Sequence, residues 1–382
     1  MTLSLVFSAL TVGALLLTSL AVPLVRLLAL RTGLVDHPTA GAYKTHVEPT
    51  PYGGGLALWL GIVLPLIVLA GWLTQSHPGL FHDGLHWVNP WAPYLFFPLE
   101  QWSPTFEQAS QMLAALAGAS LLGLLGLADD RRPLPVSLRF GVQLLLAGLL
   151  VYTVPGFRLG LFGDHFLLSL VTSVLWIVVL INAFNFLDNM NGLSAGLAAI
   201  TIGGSGAVAL IAQHLPAAIL CLTVLGSCLG FLRFNFPRAS IFMGDAGGLF
   251  LGFLGGALSI LLSNRLSDMA EAGQMLPYEL LPLCVFAVPC YDLITVVGLR
   301  LRRGVAPWLG DTNHVSHRLV AAGLTRTRAV LVLYILAALT AFLSVAGLRG
   351  DPGIAWGALA TMGASLTLFG ILDLRLARRY TR

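Results

Sequence analysis

The chain has 382 residues, of which 57% are apolar and only 10% charged, and a formal net charge of +4. An ordinary water-soluble domain carries about a quarter charged residues, so that class is excluded. No basic run is interleaved with aromatics along a soluble surface, and a nucleic acid is not an expected partner.

A run of roughly 17–25 apolar residues spans the hydrocarbon of a bilayer as a helix. Such windows occur at about 3–28, 54–73, 109–128, 137–155, 165–183, 193–212, 216–232, 247–263, 277–299, 328–347 and 353–372. Glycine is frequent inside them, as close helix packing in lipid requires. No soluble domain or long linker interrupts the series. The expected fold is an all-α polytopic integral membrane protein with about 11 transmembrane helices, forming one domain over 1–382. The first window lacks a basic n-region and a small-residue cleavage site, so it is expected to be retained as a helix.

Lys44-Thr45-His46 and Pro49-Thr50-Pro51-Tyr52-Gly53-Gly54-Gly55 precede the second window. Pro and Gly there predict a rigid turn feeding a tightly packed helix start. Lys44 is the only lysine of the chain, and its place fits a phosphate contact. Residues 74–108 contain no Lys or Arg but hold Trp87, Trp91, Phe96, Phe97 and Trp102, the pattern of an aromatic belt or an interfacial helix. His77, His82 and His86 in that stretch have no neighbouring Cys or helical framework to make a metal site.

Asp129-Asp130 closes the third window and is followed by Arg131-Arg132. Acids are disfavoured at the negative end of a helix, and adjacent carboxylates repel, so a cation or basic group is expected nearby. Arg139, one turn into the fourth window, can reach toward these acids or toward a phosphate. Asn182, Asn185 and Asp188 recur every three residues at the end of the fifth window, near one helical face, with Asn189 and Asn191 following. Such a polar stripe is costly in a membrane unless it lines a cavity or bonds a neighbouring helix, and amides suit the edge of a base or a sugar.

The segment Asn235-Phe236-Pro237-Arg238-Ala239-Ser240-Ile241-Phe242-Met243-Gly244-Asp245-Ala246-Gly247-Gly248 is the richest. Pro237 ends the preceding helix, Phe242 offers a flat face to a base, and Asp245 is either a helix N-cap or a ligand for Mg²⁺ bridging phosphate oxygens. Asp311-Thr312-Asn313-His314-Val315-Ser316-His317-Arg318 follows Arg300, Arg302 and Arg303, a combination suited to anion binding and proton transfer. Cys221, Cys228, Cys284 and Cys290 lie within apolar windows and read as packing residues.

Two windows separate each acidic segment from the next, so all three acidic segments face one compartment, together with the Asp311–His317 stretch. Placing them inside puts Arg31, Lys44, Arg131, Arg132, Arg233, Arg238, Arg300, Arg302, Arg303, Arg318, Arg326, Arg378 and Arg379 inside, and only Arg158, Arg265 and Arg349 outside. The positive-inside rule supports that orientation, with the amino terminus external.

Together these segments resemble the polyprenyl-phosphate N-acetylhexosamine-1-phosphate transferases of glycosyltransferase family 4, from Val35-Asp36-His37-Pro38 through Asn313–Gly323. The resemblance implies transfer of a sugar-1-phosphate, GlcNAc-1-phosphate before others, from a UDP-sugar to undecaprenyl phosphate, with release of UMP and a need for Mg²⁺. It implies a multi-pass protein of the bacterial cytoplasmic membrane, in contact with membrane lipid, working on the cytoplasmic face; a homodimer is compatible with it. Asp129 and Asp130 match the paired aspartates that engage or deprotonate the lipid phosphate, and Asp245 matches the Mg²⁺-binding aspartate. Asp188 with Asn182 matches an active-site cluster, Asn235 and Phe242 match positions near the uridine, His314 matches the first histidine of an HxHH element, and Lys44 lies in a KxH element. His317 closes the HxHH element, and Arg139 stands where a lysine is common. The usual DGxDG reads Asp188-Asn189-Met190-Asn191-Gly192, and HxHH reads His314-Val315-Ser316-His317. The alternatives are a phospho-MurNAc-pentapeptide transferase and, in another class, an ion-coupled transporter; acids at helix ends rather than at midplane disfavour the transporter.

Overall fold

The computed structural model describes residues 3–36, 49–76, 106–163, 165–270 and 275–380. Lys44, His77, His82, His86 and the tryptophans of the 74–108 stretch lie outside the described residues. Among the described residues the secondary structure is helical apart from one two-stranded antiparallel clasp, β1 (Val35–Asp36) and β2 (Thr50–Pro51), in which Val35 pairs with Pro51. The helices are α1 (Leu3–Thr32), α2 (Gly54–Ser76), α3 (Phe106–Arg131), α4 (Val136–Thr153), α5 (Phe166–Leu187), α6 (Leu193–Ile211), α7 (Leu215–Asn235), α8 (Gly244–Met269), α9 (Met275–Cys284), α10 (Ala287–Arg302), α11 (Val315–Ala321), α12 (Arg326–Gly347) and α13 (Pro352–Tyr380). Ten of these are long and apolar enough to cross a membrane, and eleven spans result if α9 and α10 form one broken span. The protein is a multi-pass membrane protein, as the composition required.

The window at 277–299 predicts one membrane-spanning helix, and the structure divides it in two. α9 and α10 meet at an angle of 71°. Pro282 and Pro289 flank the break; each lacks an N–H and crowds the carbonyl four residues earlier. Carbonyls near the break find hydroxyl donors instead: Ser344 Oγ lies 2.9 Å from the Leu281 oxygen and Thr340 Oγ1 3.4 Å from that of Val285. A helix broken inside an apolar bundle persists only with such partners. The short α11 and the β1–β2 clasp also lie outside the sequence reading.

Several helices run further than their apolar windows. α3 extends to Arg131, which places Asp129 and Asp130 in its last turn, and α8 begins at Gly244, which places Asp245 in its first. α5 continues through Asn182 and Asn185 to Leu187. The acidic ends of α3, α5 and α8 therefore meet at one end of the bundle, as the count of spans required.

α8 is the axis of the fold. Its apolar length is buried throughout, and α2, α3, α5, α6 and α9 pack around it. Leu16, Leu20 and Leu24 of α1 and Leu368 and Leu372 of α13, by contrast, are exposed on the outer surface, where lipid rather than water is their natural neighbour. Gly248, Gly252 and Gly256 form a stripe on α8 against which the α5 backbone lies. A Cβ at Gly252 would stand 2.5 Å from Ile181 Cα and from the Leu180 oxygen. This contact fixes α5 against α8 in depth and rotation, and so fixes Asn185 and Asp188 relative to Asp245. Gly252→Ala is accordingly expected to cost about 1–3 kcal/mol, the usual range for overpacking. Thermal unfolding of the purified protein in detergent measures it; an unchanged midpoint would mean the two backbones are free to separate.

Candidate active site

The first N–H groups of a helix have no partner within it, and α8 begins inside the protein. Carboxylates from two other segments fill that need. Asp188, just beyond α5, accepts the Gly244 N–H at 3.0 Å; Asp130 of α3 accepts those of Asp245 at 2.9 Å and Ala246 at 3.3 Å. The positive end of the helix favours both. Gly244 adopts φ +74°, and a Cβ there would stand 2.4 Å from an Asp130 oxygen, so the turn admits only glycine.

The N-cap reading of Asp245 is corrected by this arrangement: Asp130 and Asp188 cap α8, while the Asp245 side chain turns to other partners. Asn185 Nδ2 donates to its Oδ1 at 2.8 Å, and Arg139 Nη1 to its Oδ2 at 3.1 Å. The same Arg139 nitrogen lies 2.5 Å from Asp129 Oδ2, and Asp129 Oδ1 accepts the Leu134 N–H at 2.6 Å. One guanidinium thus joins the acids of α3 and α8. Burial pushes the Asp188 carboxyl up to about 7; the Gly244 N–H opposes this and the nearby Asp245 charge adds to it. A group so held gains from an added cation.

A cavity of about 1110 Å³ opens at this end of the bundle. Arg139, Asn182, Asn185, Asp188 and Asp245 line one side; Arg300, Asp311, His314, His317 and Arg326 line the other, and Asn235 and Phe242 also border it. Asp129 and Asp130 stand behind Arg139 and the start of α8 rather than among the lining residues. Asn182 donates to Gln143 Oε1 at 2.8 Å. Asn235 reaches the wall with its amide engaged on both sides, accepting the Gly192 N–H at 2.7 Å and donating to the Ile241 oxygen at 2.8 Å. It thereby fixes the segment that carries Phe242. The Phe242 N–H donates to the Pro51 oxygen at 2.8 Å, and its ring lies 6.0 Å from that of Tyr52, another lining residue. Burial and the bond to Asp36 hold the Tyr52 hydroxyl far above its ordinary pKa, so it remains protonated.

The cavity does not end with its polar groups. Its wall continues down α5 past Asn182 through Val179 and Val178 to Leu175, about 10 Å of helix. Phe140 of α4 and Leu293 and Val297 of α10 complete this apolar part.

On the far wall, Arg300 is almost wholly buried. It pairs with Asp311 through two bonds of 3.0 Å, donates to the Pro307 oxygen at 2.5 Å, and lies 5.2 Å over the Phe186 ring. Burial raises the Asp311 carboxyl, but Arg300 and the Asn313 N–H groups outweigh it and bring the pKa down to about 2. His314 Nδ1 lies 2.8 Å from Asp292 Oδ2. Burial, His314 and Arg326 lower His317 to about 4, leaving it neutral. Arg318 is clamped by Asp373 of α13 at 2.5 and 2.8 Å. Ser316 Oγ donates to Asn189 Oδ1 at 2.7 Å, so the position that departs from the HxHH pattern is hydrogen-bonded to one of the two, Asn189 and Asn191, that depart from DGxDG.

Asp292 and Asp373 were not singled out by sequence, although a signal existed: each is an acid inside an apolar stretch, where a partner is required. Among the described residues no three His, Cys, Asp or Glu side chains enclose a metal position by themselves.

This fold and site define a class. Residues 112–263 match the family model described as Glycosyl transferase family 4. The chain is 32% identical to the decaprenyl-phosphate N-acetylglucosaminephosphotransferase of Mycolicibacterium smegmatis, over 89% of this chain and 82% of that protein. It is 32% identical to the enzyme of the same name from Mycobacterium tuberculosis, over 94% and 87%. It is 27% identical to the undecaprenyl-phosphate alpha-N-acetylglucosaminyl 1-phosphate transferase of Yersinia pestis, over 90% and 85%. The chain belongs to glycosyl transferase family 4.

Arg300→Ala leaves Asp311 without its guanidinium and is expected to cost on the order of 3 kcal/mol, as removal of one partner of a buried pair does. Arg300→Lys keeps the charge but not the fork, and is expected to recover only part of the loss. Unfolding midpoints of the two variants, compared with that of the parent, check this ordering.

Proposed function

We propose that this protein transfers GlcNAc-1-phosphate from UDP-GlcNAc to a polyprenyl phosphate, releasing UMP, at the cytoplasmic face of a bacterial membrane, and so initiates an envelope glycan. The observation that carries the reading is one cavity with a polar, cation-rich end and an apolar extension that runs past Asn182 for about 10 Å along α5. An anionic headgroup joined to a long hydrocarbon fits that shape. The names of the relatives supply the donor sugar and the acceptor class.

The reaction forms a bond from an acceptor-phosphate oxygen to the β-phosphorus of the donor and breaks that phosphorus's bond to the oxygen leaving with UMP. Two anions must approach, so fixed positive charge is the main requirement. Arg139 serves at the acid-lined wall, and Arg300 and Arg326 at the opposite one. Asp129 holds Arg139 toward the cavity, and Asp130 holds the start of α8, so the pair acts on the acceptor phosphate through those groups. Asp188 and His314 stand on opposite sides of the transferring phosphoryl group, with Asn182, Lys44 and His317 contacting the substrates. Phe242, backed by Tyr52 and steadied through Asn235, stacks on the uracil.

The donor set fits Mg²⁺, which takes one or two carboxylates and completes its shell with phosphate oxygens and water. Of the carboxylates that line the cavity, Asp245 and Asp188 would hold it, since Asp311 is paired with Arg300 and Asp36 is bonded to Tyr52. When bound, the ion neutralises pyrophosphate charge in the transition state.

Purified protein in detergent, given UDP-GlcNAc and undecaprenyl or decaprenyl phosphate, should release UMP and form a GlcNAc-pyrophosphoryl lipid identifiable by mass spectrometry. UMP release from another UDP-sugar alone would reassign the donor; none from a full donor panel would reject the activity. Asp245→Asn should abolish turnover while the protein stays folded, and full activity at limiting Mg²⁺ would remove Asp245 from the metal site. Phe242→Ala should raise the donor KM roughly 5- to 150-fold, since loss of a stacked base costs about 1–3 kcal/mol, with kcat less affected. An unchanged donor KM would reject the stacking.

A further inference from the structure

His314 is the histidine most firmly oriented on the cavity wall, and the group that orients it comes from another helix. Asp292 lies in α10, and only 2% of it is exposed. Its Oδ2 is 2.8 Å from His314 Nδ1, while its Oδ1 accepts the Val315 N–H at 2.8 Å. One carboxylate thus grips both the ring of His314 and the backbone just after it. The Phe186 ring meets the imidazole edge-on with centroids 6.2 Å apart, so the ring is confined from a second direction. Nε2 has no hydrogen-bond partner among the described residues, and His314 lines the cavity.

We propose that Asp292 is a positioning residue for the transfer reaction: it fixes the His314 tautomer with the proton on Nδ1 and aims Nε2 at the substrate phosphates. A buried ionised carboxylate only accepts hydrogen bonds, so the nitrogen facing it must be the one that carries the proton. Nε2 is then an acceptor in the neutral ring, and a donor to a phosphate oxygen once it has taken a proton. Without Asp292 the imidazole is free to place its single proton on either nitrogen and to turn about its bonds. This assignment rests on the transferase reading for the role of His314, but the tautomer itself does not.

The test is a double-mutant cycle joined to a spectroscopic readout on full-length protein in detergent. Asp292→Asn preserves size and should lower kcat about 10- to 100-fold, the loss typical when the outer partner of a functional histidine is changed. The KM values for donor and acceptor and the unfolding midpoint should stay near those of the parent. In a His314→Gln background the same change should alter kcat less than twofold, because the group it acts through is gone. An equal fall in both backgrounds would make Asp292 a structural residue and overturn the proposal. ¹⁵N NMR of histidine-labelled protein, with the His314 signals identified by their loss in His314→Gln, should show the proton on Nδ1. A proton on Nε2 would overturn the proposal whatever the kinetics. If Asp292→Asn does not fold, the parent spectrum still decides the tautomer, and Asp292→Glu, which keeps the carboxylate, should retain the Nδ1 proton. Absence of UMP release by the parent would sink the transferase reading and leave the tautomer to be judged by the spectrum.

Discussion

The start of α8 is the point from which the rest of the site follows. A helix that begins inside an apolar bundle presents N–H groups that no water can satisfy, and leaving them unpaired would cost several kcal/mol each. Asp130 and Asp188 satisfy them, so the acids of α3 and of the α5–α6 turn are drawn to one place by a backbone requirement rather than by a ligand. Asp245, in the same helical turn, is then brought close to both. Acids gathered in this way repel, and Arg139, lying between Asp129 and Asp245, is the cation the fold itself provides.

That arrangement explains why a glycine-rich helix occupies the centre of the protein. α5 must approach α8 backbone to backbone for Asn185 to reach Asp245, and side chains at 248, 252 or 256 would hold it away. Packing depth is thereby converted into site geometry. The second wall is built differently, from ion pairs: Arg300 with Asp311 and Arg318 with Asp373 lock the loop and short helix after α10 against the bundle. One wall is set by the absence of side chains, the other by charged ones.

The apolar windows, their number and the common side of the acidic segments were all legible in the sequence, because bilayer thickness imposes a length and parity imposes a side. What escaped notice was local. The 71° break between α9 and α10 was hidden because Pro282 and Pro289 sit in a stretch whose hydropathy is uninterrupted. α11 has only seven residues, too few to show a period. Asp130 was legible as an acid but not as a cap for a helix more than a hundred residues later. Asn235 was legible as a polar residue near Phe242, but not as one with both ends of its amide engaged by backbone.

The cavity's apolar arm changes what concentration means for this protein. A lipid that reaches its site through a wall of Phe140, Leu175 and Val297 is sampled from the surrounding bilayer or micelle, not from bulk water. The quantity that sets its occupancy is its mole fraction in that two-dimensional phase. Adding detergent at constant lipid therefore acts as dilution, and adding water does not. Detergent chains are themselves candidates for the same arm, so two preparations with equal molar acceptor but different micelle content present the protein with different substrate activities.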